Sequence, residues 1–255
     1  FQTFAVGPVT AYDLWWDAVP EAIFAALTTA LEAAPETLGC KVSVEAVSSS
    51  TGRAGAVRVQ LLGQLFGSRA ELLEILHPVY AVAAPSSGRI LETTYWKAQD
   101  FLSEAGEPDY YQERSRFFDR AIGGDAVAAV FDWMRRWPGN VKSASFKVFQ
   151  TGGRVNAVAP GATAFVHRNS HWLSSIGLVW HADTPRDALQ RNLQWQADFY
   201  AAIVPLAQGG AYQNFIDPSL SDWKQAYYGS NLARLETIKK RFDPSHVFEF
   251  PEAIP

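Results

Sequence analysis

The residues best suited to metal or thiol chemistry are few and scattered along the 255-residue sequence. Five histidines include one close pair, His167 and His171, whose spacing would place two metal ligands on one face of a helix. The flanking segments 162–166 and 173–180 are interpreted as strands, on which residues four apart lie far from each other. Cys40 is the single cysteine, so neither an internal disulfide nor a cysteine metal cluster can form. The sequence therefore predicts no metal site.

Common nucleotide-binding and hydrolase motifs are absent. No Gly-x-Gly-x-x-Gly loop follows a predicted strand, and no phosphate-cradling loop ends in Lys-Ser or Lys-Thr. A Gly-x-Ser-x-Gly nucleophile elbow is missing as well. The sequence thus offers no anchor for a dinucleotide fold, a P-loop enzyme or an α/β-hydrolase.

Composition excludes two further classes of partner. The net charge of −4 and pI near 5.8, without a block of like charges, argue against nucleic-acid binding. No apolar run reaches the roughly 18 residues of a membrane span. The first residues lack the pattern of a signal peptide, which leaves a secreted or a cytoplasmic location open. With 48% hydrophobic and 19% charged residues, the composition is that of a globular domain.

Apolar periodicity indicates the elements that must position a site. Four helices are predicted: from residue 20 to a stop at Pro35, over 69–76, over 121–137, and from Pro185 to about 203. In the second helix Leu72, Leu73 and Leu76 face inward, and Pro78 lies beyond its end. Thr184 is the predicted N-cap of the last helix. Strands are predicted at 1–11, 41–47, 56–63, 89–95, 114–118, 143–150, 162–166 and 173–180. The Ser/Gly-rich turn at 48–55 predicts a hairpin of the second and third strands.

Helices interspersed with paired strands predict an α+β fold: an antiparallel sheet covered by helices on one face. The uncovered face must meet solvent, a ligand or another domain. Nine Trp, nine Tyr and sixteen Phe could line that face and suit flat substrates. Aromatic side chains also fill ordinary cores, and the sequence does not decide between these roles.

The C-terminal 45 residues carry the most specific pattern in the chain. It begins with the stretch A-Y-Q-N-F-I-D at 211–217 and continues with W-K-Q-A-Y-Y-G at 223–229. Further fixed positions follow at Asn231, Arg234, Ile238, Phe242, Pro244 and Phe248. This block resembles the closing segment of berberine-bridge-type FAD-linked oxidases, of the vanillyl-alcohol oxidase superfamily. The G-G-R-V stretch at 152–155 with F-V-H-R at 165–168, the stretch 63–67 and the stretch 92–96 resemble the same family.

This resemblance implies a two-domain flavoprotein of which the chain is one part. It implies a substrate-binding α+β domain at 1–205 and a C-terminal segment at 206–255 that returns to a FAD-binding domain. Enzymes of this kind transfer a hydride from an alcohol or amine carbon to the flavin, and O₂ is the usual electron acceptor. The chain has no counterpart of the FAD-binding half, so FAD would be bound mainly by another domain or chain.

The resemblance also implies site residues, with one departure from the family pattern. Phe215 stands where many relatives have a Tyr that serves as base, and a phenyl ring cannot accept a proton. Tyr212 and Lys147 are the remaining catalytic candidates, with Tyr212 and Asn214 also expected beside the flavin. Phe149, Gln150, Phe215 and Tyr95 are expected to contact substrate. Strand alternation places Lys147 and Phe149 on one face and Gln150 on the other.

Two functions are therefore open. The first is the substrate-binding part of an oxidase that works only beside an FAD-binding half and is inactive alone; the start at Phe1, without an initiator Met, favours it. The second is a flavin-free binding or scaffold domain derived from such an oxidase. Flavin absorbance of the complete assembly would distinguish them.

Overall fold

The computed structural model of the chain describes residues 6–47, 55–103, 106 and 109–255. In these residues seven strands form one sheet in the order β4-β1-β3-β2-β6-β7-β5, and every neighbouring pair is antiparallel. The strands are β1 (Val9–Trp16), β2 (Leu38–Ala46), β3 (Val57–Leu65), β4 (Ser87–Thr93), β5 (Tyr110–Phe118), β6 (Ser143–Gln150) and β7 (Trp172–Trp180). The sheet is open, with β4 and β5 at its edges.

The helices lie mostly on one face of this sheet. They are α1 (Pro20–Glu32), α2 (Arg69–Tyr80), α3 (Tyr95–Leu102), α4 (Gly124–Arg135), α5 (Gly153–Asn156), α6 (Arg186–Ala207), α7 (Trp223–Tyr228) and α8 (Leu232–Phe242), with a 3₁₀ turn at Gly229–Asn231. Helices α1, α2, α4 and α6 pack against one another or against the sheet. An antiparallel sheet covered by helices on one face confirms the predicted α+β class. No helix in the described ranges combines the length and apolar character needed to cross a membrane.

The main core lies between the sheet and these helices. Alternate residues of β1, β2, β3, β6 and β7 enter it, as the period of two requires. In α1 the predicted apolar stripe of Ile23, Phe24, Leu27 and Leu31 is fully buried. The ring of Phe24 packs edge-on against Phe131 of α4 and Phe146 of β6, with centroids 5.9 and 6.3 Å apart. Aromatic packing of this kind binds the helices to the sheet, so many of the chain's aromatic residues serve the core.

The other face of the sheet is largely uncovered, apart from α3. Val9 and Ala11 of β1 alternate with the core residues of that strand and form a small separate cluster with Ala98 of α3. Helix α3 therefore covers the open face at the β1 and β4 end. The part of the open face formed by β2, β6, β7 and β5 is left for the candidate site.

One predicted strand is wrong. Residues 162–166 form no strand, because both sides of β7 are already paired, with β6 and with β5. Backbone carbonyls of the stretch 160–163 accept hydrogen bonds from side chains instead. Asn231 Nδ2 donates to the carbonyls of Pro160 and Thr163, and Arg234 Nη1 donates to that of Gly161. The segment is thus fixed by the C-terminal part of the chain.

Several predicted ends also shift. Helix α2 continues through Pro78 to Tyr80, since a proline in the last turn removes only one hydrogen bond, and Leu73 is exposed rather than inward. Pro185, not Thr184, is the N-cap of α6, and Thr184 Oγ1 accepts from the backbone of His181. The predicted strand 89–95 ends at Thr93, where α3 begins two residues later.

The remaining strand predictions hold with small changes. Strands β2 and β3 form the predicted hairpin. Of its predicted turn at 48–55, residues 48–54 lie outside the described residues. The predicted first strand at 1–11 overlaps β1 only at 9–11, and its first five residues lie outside the description. Strand β1 continues to Trp16 because Tyr12, Leu14 and Trp16 alternate into the core.

Candidate functional site

The open face presents polar side chains in rows that cross the sheet. The register aligns one row of Trp15, Gln60, Ser43, Lys147, Ser175 and Ser115 across β1, β3, β2, β6, β7 and β5. A neighbouring row aligns Arg58, Glu45, Ser145, Gly177 and Glu113 across β3, β2, β6, β7 and β5. Polar residues at such positions would be costly against a core, so this face is built to meet a polar surface or a ligand.

A lysine, a glutamate and a serine meet on this face. Lys147 Nζ of β6 donates to Glu113 Oε1 of β5 at 2.8 Å, across the intervening strand β7. The hydroxyl of Ser175 on β7 donates to Glu113 Oε2. The side chains of Lys147 and Glu113 are only 26% and 14% exposed, so this ion pair is partly desolvated. We call these three residues the Lys147–Glu113–Ser175 cluster.

A glycine makes room for the cluster. A Cβ atom at Gly177 would lie 2.9 Å from Glu113 Oε1 and 3.1 Å from Ser145 Oγ. The contact with Glu113 is shorter than real Cβ atoms make, so a side chain at this position would displace the carboxylate. Gly177 therefore lets Glu113 reach across β7 towards Lys147.

An aromatic group lies on the same face beside the cluster. Phe149 of β6 lies 6.2 Å from Phe215, and Phe215 lies 5.3 Å from Tyr212, measured between ring centroids. Tyr212 in turn meets Phe117 of β5 edge-on at 6.1 Å. Asn214 Nδ2 donates to the hydroxyl oxygen of Tyr212 at 2.8 Å. An apolar surface and a charged cluster therefore adjoin.

The aromatic group depends on how the chain beyond α6 is held against β5. In the structure we use the name C-terminal segment for residues 208–255, which follow the last residue of α6, Ala207. The backbone of Phe117 exchanges two hydrogen bonds with Gly209 and Gly210, and Tyr212 N donates to Ser115 Oγ. Glycine is needed here, since a Cβ at Gly210 would lie 2.3 Å from the carbonyl oxygen of Ala226. The C-terminal segment thus extends the edge of β5 and places Tyr212 over the open face.

A buried ion pair secures the same segment. Arg114 Nε of β5 donates to Asp217 Oδ2 at 2.7 Å, and the two side chains are 10% and 3% exposed. Asp217 Oδ1 also accepts from the backbone and the hydroxyl of Ser219, and the Tyr227 hydroxyl accepts from Asp217 N. With so many partners, Asp217 joins β5, the turn at 217–219 and α7.

His167 packs under the C-terminal segment as a neutral ring. Its imidazole stacks on Phe117, with centroids 4.2 Å apart. Burial disfavours the imidazolium and lowers the pKa of His167 from 6.5 to about 4. The neutral ring is therefore part of the packing that holds the segment on β5.

Acidification is expected to weaken the fold through this histidine. The pKa of His167 is lower in the folded state than in the unfolded state. The free energy of unfolding is therefore highest above about pH 6.5 and falls by up to about 3 kcal/mol as the pH drops towards 4. Urea unfolding from pH 7 to pH 4 measures this loss. The variant His167→Gln, which cannot titrate, should lose less free energy of unfolding between pH 7 and pH 4 than the wild type. His77 is exposed, so His77→Gln should follow the wild-type curve. An equal loss in all three proteins would show that His167 is not the cause.

A cleft of about 700 Å³ opens between β5 and the C-terminal segment. Its apolar walls come from Tyr111, Trp180, Phe215, Ile216 and Pro218, and its polar groups from Gln112, Glu113, Asn214 and Ser219. A cleft of this size and mixed lining is typical of small-molecule sites. It gives access to the carboxylate of Glu113 from the edge of the sheet.

Most of the residues expected from the sequence come together here. Lys147, Phe149, Tyr212, Asn214 and Phe215 all lie at the open face around the cluster.

Gln150 and Tyr95 lie elsewhere. Gln150 points to the helix-covered side, as alternation predicted, where its Nε2 donates to the carbonyl of Leu31 and its Oε1 accepts from the Cys40 thiol. Burial raises the pKa of that thiol far above its ordinary value. Tyr95 begins α3 and stacks on Phe66 beyond the end of β3, on the part of the sheet farthest from β5.

Glu113 and Ser175 were missed from the sequence. The predicted strand 114–118 began one residue too late to include Glu113, although alternation with Arg114 could have placed it on the open face. The histidine pair separates as expected for non-helical residues: His171 Nδ1 lies 3.7 Å from Glu32 while His167 stacks on Phe117. Within the described ranges, no three His, Cys, Asp or Glu side chains gather as a metal site would require.

Comparison with known proteins shows what the chain is similar to. Residues 211–255, most of the C-terminal segment, match the family model described as Berberine and berberine like. The chain is 27% identical over 200 residues to the uncharacterized FAD-linked oxidoreductase YgaK of Bacillus subtilis, covering 78% of this chain and 43% of that protein. It is 28% identical over 196 residues to a carbohydrate oxidase of Microdochium nivale, covering 72% and 39%.

The C-terminal segment is thus similar to that of berberine-bridge-type proteins. The fold of the chain matches the wild-type BBE-like 1 protein of Physcomitrella patens with a TM-score of 0.81 at 23% identity, covering 98% of this chain and 54% of that one. A variant of berberine bridge enzyme in complex with (S)-reticuline matches with a TM-score of 0.82 at 16% identity, covering 97% and 55%. The chain thus spans about half the length of these structures, and less than half of the curated proteins above.

Proposed function

We propose that this chain is the substrate-binding part of an FAD-dependent oxidase that removes a hydride from an alcohol or amine carbon, with O₂ as electron acceptor. The observation that carries the proposal is the Lys147–Glu113–Ser175 cluster, set on an open sheet face beside Tyr212 and Phe215 of the berberine-type segment. Neither the cluster nor these two residues of the C-terminal segment belong to the main core, which lies on the other face of the sheet.

The open face fits a flat ring system. It offers a row of polar side chains on a flat surface, including the buried hydroxyl of Ser43, which has no hydrogen-bond partner in the described structure. Tyr212 and Asn214 are the residues that would contact the ring. The sequence has no diphosphate-binding loop, so most of the FAD would be bound by another domain or chain.

The flavin, when bound, would accept the hydride and pass the electrons on. The chain's own residues supply orientation and proton transfer. In our proposal the Glu113 carboxylate accepts the proton from the substrate hydroxyl or amine as the carbon is oxidised to a carbonyl or imine. Lys147 holds that carboxylate in place, and Phe149 and Phe215 exclude water from the reacting carbon.

Purification of the complete assembly tests the proposal most directly. We expect flavin absorbance, a substrate-dependent loss of that absorbance without O₂, and its return with O₂. A colourless assembly, with no second polypeptide by mass spectrometry, would instead indicate the flavin-free binding or scaffold domain.

Replacing Lys147 with methionine tests whether Lys147 takes part in the reaction. If Lys147 orients Glu113, kcat is expected to fall about 10-fold, because the carboxylate loses the donor that holds it in place. The measurement is kcat across pH 5 to about 9 in the assembly with its FAD-binding part. An unchanged kcat at every pH would remove Lys147 from the mechanism.

A further inference from the structure

A second cleft, of about 420 Å³, lies beyond the end of β6. Its walls are the end of α1, the connection from α1 to β2, and the loop that follows β6. None of the residues of the Lys147–Glu113–Ser175 cluster or of the aromatic group lines it. The proposed oxidase reaction has no use for this cleft.

Three polar side chains of this cleft have atoms without partners. Ser170 is fully buried, and its Oγ has no hydrogen-bond partner in the described structure. Thr151 Oγ1 and Asn156 Oδ1 are buried and unpartnered as well. All three residues line the same cleft. Buried polar atoms without partners are rare and destabilising, so a cluster of three around one cleft points to a bound polar molecule.

The loop around the cleft is rigidly tied. Asn156 Nδ2 donates to the carbonyl of Ser170 at 2.8 Å, which leaves its Oδ1 as a free acceptor. Thr151 N donates to the carbonyl of His171 at 3.0 Å. Gly152 and Gly153 have φ of 108° and 47°, a conformation that other residues adopt only with strain. The three unpartnered atoms therefore belong to a preformed site rather than to a loose loop.

The rim of the cleft carries two carboxylates, of Glu32 and Glu36, and one guanidinium, of Arg154. Glu32 Oε1 accepts a hydrogen bond from Trp172 Nε1 at 2.8 Å. Glu36 faces Arg154, with Oε2 and Nε 4.0 Å apart. Trp172 is thus the donor of Glu32, whereas Glu36 and Arg154 are exposed and form only a loose ion pair. The unpartnered atoms are two hydroxyls and one amide oxygen, all uncharged.

We propose that this cleft is a second binding site for a small, neutral, polyhydroxylated molecule. A ligand hydroxyl can donate to Asn156 Oδ1, and neighbouring hydroxyls can both donate to and accept from Thr151 and Ser170. The volume admits a molecule from the size of glycerol to that of a hexose. The site is separate from the proposed oxidase chemistry and does not depend on it.

Titration with myo-inositol, followed by two-dimensional ¹H–¹⁵N NMR of the 255-residue chain, tests the site. We expect saturable shifts of the amides of Thr151, Asn156 and Ser170, with a Kd of the order of 1 mM. Ser170→Ala and Thr151→Val should each weaken binding about 10-fold, through loss of one hydrogen bond. Ser145→Ala, which removes a hydroxyl from the open face, serves as the matched control and should leave the Kd unchanged.

Comparison ligands of similar size test the ligand class. Ethanolamine and glycolate, which carry a positive and a negative charge, should bind more weakly than glycerol. The proposal is overturned by tighter binding of either charged ligand, by the absence of saturable shifts, or by shifts confined to the open face. Should Ser170→Ala fail to fold, the wild-type titration and Thr151→Val decide the question.

Discussion

Replacing Asp217 with alanine is expected to lower the free energy of unfolding by about 3–5 kcal/mol, because it leaves the buried guanidinium of Arg114 without its counter-charge. The same change removes the hydrogen bonds that Asp217 accepts from Ser219. Urea unfolding followed by tryptophan fluorescence measures the loss.

Two further variants show whether the ion pair itself is responsible. Asp222→Ala removes a 58% exposed carboxylate 3.8 Å from Arg116, and should cost no more than about 1 kcal/mol. The double variant Arg114→Met with Asp217→Leu removes both charges and should recover a large part of the stability. If Asp217→Ala proves no more harmful than Asp222→Ala, the pair does not anchor the segment.

Replacing Glu113 with glutamine is expected to lower kcat/KM by about 10²–10³-fold in the assembly with its FAD-binding part, because an amide cannot accept the substrate proton. Glutamine has nearly the same shape, so the positions of Lys147 and Ser175 should change little. Steady-state oxidation rates, with O₂ consumption as the readout, give the ratio. The flavin content of the variant should equal that of the wild type.

The control for this variant lies in the same row of the sheet. Glu45 of β2 occupies the row of Glu113, three strands away, and pairs with Arg58 at 3.0 Å. Glu45→Gln removes a carboxylate of the same kind from the same face and should leave kcat/KM within about twofold of the wild type. Equal losses in both variants would indicate a general effect of charge on this face, and the proposal that Glu113 is the base would fail.

Both predictions rest on contacts between residues distant in sequence. Arg114 and Asp217 are 103 positions apart, and Glu113 and Lys147 are 34 apart. Periodicity places a residue on one face of its own strand, but it carries no information on which strands become neighbours. The Lys147–Glu113 pair requires β7 to lie between β6 and β5, an order that the chain sequence alone does not reveal.

Local patterns were reliable where one face of an element is buried. The stripe of α1 and the bounds of β6 were predicted correctly, because burial of alternate or helically spaced residues leaves a clear signal. The segment 162–166 failed for the opposite reason. The backbone carbonyls of the stretch 160–163 accept hydrogen bonds from the side chains of Asn231 and Arg234, about 70 residues away, and not from a neighbouring strand.

The sequence by itself determined the resemblance to berberine-bridge-type proteins, the α+β class, the open sheet face and the placement of Lys147 opposite Gln150. Each follows from local patterning or from the motif at 211–255. Only the tertiary structure decided that Glu113 and Ser175 meet Lys147, and that His167 and Asp217 hold the C-terminal segment on β5. The physical reason is the same in each case. Strand pairing brings side chains that are distant in sequence into contact, and burial removes water from around them. Their ion pairs and hydrogen bonds are stronger there than in water.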